Sequence, residues 1–407
     1  MGARQRIIGG AAAAFSLLLA AAAPATASDG VVRILIPTDL NSIYAEMGGQ
    51  GSVTAAEMAV EAVGRKVAGM PVKIVVRDTE LTPEKAVSEA QAENAEQPID
   101  MITGQLASNV GLALQKWATQ NNVVILHNGP SSTAFTNESC SPVGIQWGFD
   151  TYATTSASVT ASVAEGNKRW FFITADYSFG HNLEEQGANF VKRSGGEVVG
   201  NAVAPYPGVD FSSELQEALI SGADVIGLAN AGEDTQRTIR QGYELGVGQA
   251  GMKMLAMEFY ITDIRRLGLY VTSGLQYATS FYWNENAQTR AWSKRYEQRT
   301  GAMPTTIQAG VYSATLHYLE AVRAAGTDDT DAVLAQMRKR PVDDGVFATN
   351  GHIRPDGRMV SDMILVQVKS PSDSKGAWDY VDVVRTIPGK KAFKPMAQGN
   401  CPLVAGK

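Results

Sequence analysis

Residues 101–133 read MITGQLASNVGLALQKWATQNNVVILHNGPSST. Two short apolar runs, Met101 to Leu106 and Val123 to Leu126, each end in a loop of small hydroxyl, amide and glycine residues. The first stops at Ala107-Ser108-Asn109, and apolar residues at helical spacing (Val110, Leu112, Leu114, Trp117, Ala118) follow at once. That order makes Ser108 the expected N-cap of a helix. The second run stops at His127-Asn128-Gly129-Pro130-Ser131-Ser132. Strand, loop and helix in succession predict a parallel α/β sheet, whose ligands collect outside the carboxyl ends of the strands. A helix start in such a loop offers unpaired N–H groups and the positive end of a dipole, which suits a carboxylate.

Outward from this stretch the same alternation continues in both directions. Upstream, Val31 to Ile36 is a β-branched run, followed by a loop with Tyr44 and a helix whose apolar face is Ala55, Met58, Ala59 and Val63. Val72 to Val76 and a helix opened by Thr82-Pro83-Glu84 come next. Downstream, GIQWGFDTYATTSAS shows no long strand or helix, and then the alternation restarts. Trp170 to Ala175 ends in Asp176-Tyr177-Ser178-Phe179-Gly180, and Asp224 to Ala229 ends in Asn230-Ala231-Gly232-Glu233-Asp234. Strands at Met252 to Met257 and Leu275 to Phe281 complete this second series. The expected fold is therefore α/β, two doubly wound parallel-sheet lobes joined by a hinge.

A chain of 407 residues exceeds what one core usually serves, which agrees with two lobes. The expected division is 28–149 with about 284–358 for lobe 1, 150–283 with about 359–400 for lobe 2, and a tail at 401–407. The helices Gln288 to Thr300 and Thr306 to Ala325 are assigned to the first lobe because their apolar faces need a sheet to cover. Met363 to Val368 and the hairpin at Arg354-Pro355-Asp356-Gly357 fall near the hinge.

Arg4 and Arg6 precede the apolar run Ile7 to Ala23, and Ala25-Thr26-Ala27 fits a small-x-small cleavage site. Residues 1–27 thus read as a secretory signal peptide, placing the mature chain in the periplasm. Cys140 and Cys401 are the two cysteines, and an even pair in an exported protein predicts a disulfide. A net charge of −6 excludes the electrostatic footprint of a nucleic-acid binder.

Catalytic constellations are missing. The four histidines are scattered, with no HExxH pair, and there is no GxSxG elbow. Gly246-Val247-Gly248-Gln249-Ala250-Gly251 matches GxGxxG but follows a helix and precedes a strand, the reverse of the dinucleotide-binding order. No metal or cofactor is expected. His127 sits at a strand end beside the loops and is a candidate ligand contact. An exported enzyme using His127 with Asp234 or Glu258, and a sensory binding protein, are the alternative readings.

The opening PTDLNSIYAEMGGQG, the loops GQLASN and HNGPSST, and the turn DYSFG resemble the type I periplasmic binding proteins of the leucine/isoleucine/valine class. That resemblance covers essentially the whole mature chain. It implies a protein that captures a small carboxylate-bearing solute, an amino acid or an aromatic or aliphatic acid, in the interlobe cleft by hinge closure and delivers it to an ABC transporter permease in the inner membrane; nothing in the chain demands more than a monomer. It places a ligand carboxylate on Ser108, the backbone of Gly129 and Ser131, with Tyr44 in the first loop, and Asn109 beside Ser108 is a further candidate contact. From the second lobe it implies Tyr177, Asn230 and Asp234, with Glu258 nearest to the acidic residue that takes an ammonium. Here Glu258 stands in Met257-Glu258-Phe259-Tyr260 rather than in a glycine-rich turn, and the aromatic pair usual at Asn230-Ala231 is missing. Phe281, Tyr282 and Trp283 lie where a strand should return toward the first lobe, either as an apolar cleft wall, with Tyr282 the candidate ligand contact, or as core and hinge packing.

Overall fold

The computed structural model describes residues 1–2 and 29–404, so the signal-peptide reading lies outside the described residues except for the first two positions. The chain begins with β1 (Val32–Thr38), α1 (Gly49–Ala62), the short β2 (Lys66–Val67), β3 (Met70–Asp78), α2 (Pro83–Glu96), β4 (Met101–Thr103), α3 (Ser108–Asn121), β5 (Val124–His127) and β6 (Gly144–Gln146). These strands form one sheet in the order β2-β3-β1-β4-β5-β6. It is parallel from β3 to β6, and β2 turns back on β3 as a hairpin. Every residue of β1 is buried, the signature of a strand covered on both faces.

A second series follows: α4 (Thr151–Ala164), β7 (Arg169–Ala175), α5 (Ser178–Arg193), β8 (Glu197–Ala204), α6 (Ser212–Ile220), β9 (Val225–Ala229), α7 (Glu233–Glu244) and β10 (Lys253–Ala256). Its four strands run parallel in the order β10-β9-β7-β8. After α8 (Ile261–Leu267) and α9 (Leu269–Thr272), β11 (Gln276–Thr279) does not extend this sheet. It pairs antiparallel with β14 (Met363–Val368), which pairs in turn with β15 (Val381–Ile387). The strand expected from Leu275 to Phe281 thus stands in a separate antiparallel sheet rather than beside β7 to β10. The long excursion between β11 and β14 lets them meet head to tail, a geometry closed to sequential βαβ units.

That excursion carries α10 (Ala287–Thr300), α11 (Thr306–Ala325), α12 (Thr330–Lys339), β12 (His352–Ile353) and β13 (Met359–Val360). α10 and α11 pack on α1, and the hairpin before β13 meets the end of β6 through Gln146 and Arg358. The chain therefore passes between the two sheet systems three times: after β6, between β11 and α10, and between β13 and β14.

The stretch expected to lack a helix holds α4. Its sequence, TYATTSASVTASVA, is rich in residues that compete with helix hydrogen bonding, yet their hydroxyls fold back on the helix. Thr155 and Ser158 donate to the carbonyls four residues earlier at 2.6 and 2.8 Å, and Asp150 caps the start by accepting from the Ala153 N–H at 2.8 Å. Burial of Tyr152, Val159 and Val163 against α5 and β11 supplies what local propensity lacks. A disulfide joins Cys140 to Cys401, 261 positions apart. Among the described residues no helix is long and apolar enough to cross a membrane.

Candidate functional site

Two glycines set how closely the walls of the site approach. A Cβ on Gly129 would stand 2.6 Å from the Gln105 carbonyl oxygen and 2.8 Å from the Leu106 Cα, so the loops after β4 and β5 touch backbone to backbone. Gly232, with φ +61°, lies across the cleft, and a Cβ there would stand 2.5 Å from the Ile43 carbonyl oxygen and 2.7 Å from the Tyr44 ring. A side chain at either place would wedge the walls apart.

Ser108 is not the cap of α3. The N-cap position is Ala107, and no side chain caps it. Ser108 Oγ instead accepts from the backbone N–H groups of Ser131 and Ser132, both at 3.2 Å, so it sews the first loop to the second. With both acceptor directions used, the hydroxyl proton remains to be donated outward.

Between the sheets, Tyr44, Met47, Leu106, Ser108, Gly129 and Ser131 face Tyr177, Phe179, Ala231 and Glu258. The space left is about 10 Å³, room for a single water. Two contacts close it. Tyr44 and Tyr177 share a hydrogen bond between their phenol oxygens, and Ser131 Oγ donates to Glu258 Oε2 at 2.8 Å. Tyr260 donates its hydroxyl to the other carboxyl oxygen of Glu258. Burial pushes the Glu258 carboxyl up to about 7, against the pull of those two donors. Tyr206 stacks on Tyr177 with centroids 3.8 Å apart, and burial raises all three phenols, Tyr44, Tyr177 and Tyr206, above their ordinary range. No lysine, arginine or histidine lines this space.

Six of the residues singled out in the sequence are therefore brought together: Tyr44, Ser108, Gly129, Ser131, Tyr177 and Glu258. His127 is turned away. Its ring is fully buried behind the loop, with Gln105 Nε2 donating to Nδ1 at 2.6 Å and Nε2 donating to Gln115 Oε1 at 2.8 Å. Burial lowers its pKa to about 3, so it stays neutral and is spent on joining β5 to α3. Asn230 bonds Thr235 and Thr238 of its own helix at 2.7 and 3.1 Å. Asp234 accepts from the Gly208 N–H at 3.1 Å, and burial raises its pKa to about 6. Both carboxamide and carboxylate thus serve the second lobe rather than the cleft. Asn109 and Tyr282 do not line the space either; Tyr282 packs with Phe259, Phe281 and Trp283 in a separate crevice.

Sequence reasoning missed Met47, Leu106, Phe179, Ala231, Tyr206 and Tyr260. Leu106 and Ala231 were within quoted loops, and Tyr260 is two residues from Glu258, but nothing local marks Tyr206 in APYPG. Among the described residues no group of three or more His, Cys, Asp or Glu is placed to hold a metal.

Two α/β sheets whose strand-end loops meet over a buried polar patch define a two-lobed binding protein. The chain belongs to the periplasmic binding protein family, whose pattern matches residues 31–377. It is similar to a periplasmic binding protein of Burkholderia mallei, with 40% identity, a TM-score of 0.90, and coverage of 93% of this chain and 100% of that one. A branched-chain amino acid ABC transporter periplasmic ligand-binding protein of Burkholderia xenovorans is 35% identical, with a TM-score of 0.82 and coverage of 91% and 99%. A Leu/Ile/Val-binding protein homolog of Brucella melitensis is 24% identical over 196 residues, and that match spans 47% of this chain and 50% of the relative.

Proposed function

We propose that the chain is a periplasmic solute-binding protein that captures a small amino acid between its lobes and presents it to the permease of an ABC importer. The observation that carries this reading is the Ser131–Glu258 contact in a cleft lined by no cationic side chain. An ionised carboxylate alone in a dry site repels an anion, so a solute that brings its own ammonium beside its carboxylate fits it best. In this reading the ligand carboxylate takes the Ser108 hydroxyl, the Ser131 hydroxyl and backbone N–H groups of the two loops, and the ammonium takes Glu258. Met47, Leu106, Phe179 and the tyrosine rings hold the remainder. The Burkholderia xenovorans relative, described as a branched-chain amino acid ABC transporter periplasmic ligand-binding protein, supports this chemistry.

Entry requires the Tyr44–Tyr177 and Ser131–Glu258 contacts to part, which calls for rotation about the three chain crossings. We take lobe 1 as 28–149 with about 284–358 and lobe 2 as 150–283 with about 359–400. Closure then follows from the ligand's higher affinity for the closed state. The test is a thermal-shift and calorimetric comparison of leucine, valine and alanine with their deaminated acids at pH 7. A ligand at about 100 times its dissociation constant stabilises the fold by about 2.7 kcal/mol. Amino acids are expected to shift the wild type and to lose that shift in Glu258→Gln. Equal binding of the deaminated acids overturns the amino-acid reading.

A further inference from the structure

A second cavity, of about 650 Å³, is lined by Ala45 and Glu46, which stand between Tyr44 and Met47 in the chain. That volume is in the range of small-molecule sites, which favour domain interfaces. Glu46 lines it from the first lobe and Arg266 from α8 of the second, and the two form an ion pair across the gap. Its charged lining is three guanidiniums, those of Arg265, Arg266 and Arg299, against the single carboxylate of Glu46. Arg299 is further held at 2.7 Å by Glu61, outside the cavity. Arg265 has no carboxylate partner among the described residues; its guanidinium lies 4.4 Å above the centroid of Trp378, a ring that is 3% exposed.

Thr262 is a second and independent observation. It lines the same cavity, is 9% exposed, and its Oγ1 has no hydrogen-bond partner among the described residues. The Thr262 hydroxyl and the Arg265 guanidinium are thus two donors in the lining of one cavity, a pairing that suits an anionic acceptor. In a chain of net charge −6, a locally cationic hollow is also a local reversal of sign.

We propose that this cavity is a second binding site, for a small organic anion whose carboxylate meets Arg265 and Thr262 of the second lobe and whose apolar body lies against Leu40, Ala45 and Ala302 of the first. It is distinct from the cleft that holds Glu258, and its chemistry is opposite in sign. Because both lobes contribute to it, an occupant interacts with both only while they are closed. By linkage it strengthens binding in the cleft, and a cleft ligand strengthens binding here by the same factor. This consequence rests on the lobe motion proposed above, whereas the existence of the site does not.

The test is isothermal titration of the purified protein with benzoate and with succinate. The wild type is expected to bind at least one of the two probes. Arg265→Gln and Thr262→Val are each expected to weaken that binding about tenfold or more, the usual loss when a charge-assisted hydrogen bond is removed. Ser131→Ala, which alters only the cleft, is expected to leave it within about threefold. Absence of binding by both probes overturns the proposal. So does equal affinity in the wild type and Arg265→Gln, or loss of binding in Ser131→Ala alone, which assigns the probe to the cleft. The amino-acid titrations above read the cleft separately, so either result leaves the other standing.

Discussion

Ser131 and Glu258, 127 positions apart, meet at 2.8 Å across the two sheets, and the serine hydroxyl is one of two donors that hold the buried carboxyl. Burial lifts this carboxyl to about 7 from an ordinary 4.5. The folded state therefore binds the proton more tightly than the unfolded chain, and stability is lost as pH rises. The Glu258 contribution is fully present below about pH 4.5 and gone above about pH 7, an effect on the order of 3 kcal/mol. Asp263, lifted to about 7, and Asp234, lifted to about 6, slope the same way. Thermal melts from pH 4 to 8 should show Glu258→Gln flatter than the wild type, with its largest relative gain at pH 8. Parallel curves would mean that Glu258 is not buried in solution.

The same carboxyl sets the pH dependence of binding. An ammonium beside Glu258 favours its ionised form, so an amino acid should bind more tightly as pH rises from 5 to 7.5 and release a proton at the lower end. A deaminated acid should show the opposite slope. Calorimetry in two buffers of different ionisation enthalpy reads the proton count directly.

Gly129→Ala tests the contact between the loops. The added methyl meets the Gln105 carbonyl and the Leu106 Cα, backbone atoms that cannot rotate away. We expect a loss of about 2–3 kcal/mol, at the upper end of the overpacking range, and loss of ligand binding. Denaturant unfolding measures the first and calorimetry the second. Wild-type stability would show that the loops stand further apart than 2.6 Å implies.

Legibility in the sequence followed how local each cause is. The strand runs around Ile34, Ile125 and Ile173 were plain because buried parallel strands are continuous apolar segments. α4 was hidden because its threonines and serines argue against a helix locally, and only burial against α5 and β11 reverses that. β15 breaks the alternation of a half-buried strand at the adjacent Val383 and Val384, and both valines are exposed. His127 misled for a simpler reason: neighbouring strand residues point to opposite faces, and position alone did not say which one reaches the cleft. Ser108 fitted the sequence rule for a cap, yet its hydroxyl found two backbone donors on the next loop. The family resemblance put Glu258 and Ser131 at one site, but their direct contact had no signal in the sequence, since nothing local spans two lobes.

Tyr44 and Tyr177 offer a double-mutant cycle. Each phenol satisfies the other in a buried setting, so Tyr44→Phe or Tyr177→Phe strands one hydroxyl and should cost about 1–3 kcal/mol. The double variant strands neither and should cost less than the sum, with a coupling of about 0.5–1.5 kcal/mol. Additive losses would show that the two rings do not meet in the free protein.

Cys140–Cys401 closes a loop of 261 positions and ties the tail to the segment after the second loop, where Asn137 also accepts from Asn400. On chain-entropy grounds the bond stabilises by about 5 kcal/mol through the unfolded state. Reduction, or Cys140→Ala with Cys401→Ala, should lower the melting temperature while leaving ligand affinity within about twofold, because neither cysteine touches the cleft. A large loss of affinity at unchanged melting temperature would contradict this.

Arg358 is the residue on which two chain crossings depend. It is fully buried, its guanidinium lies 3.4 Å from Asp150, and it donates to the carbonyls of Gly148 and Met359 while covering the Phe393 ring at 4.4 Å. Burial lowers its pKa to about 10, still far above neutrality, so the charge is retained. Asp150 in turn caps α4, which couples the crossing after β6 to the first helix of the second lobe. Removing one member of such a buried pair leaves the other uncompensated, at a cost of about 3–5 kcal/mol. Arg358→Met should therefore destabilise strongly, and Arg358→Met with Asp150→Asn should recover part of the loss. Recovery separates an electrostatic clamp from a packing role: if the double variant is no more stable than Arg358→Met, the arginine acts through its contacts with Phe393 and the backbone rather than through Asp150.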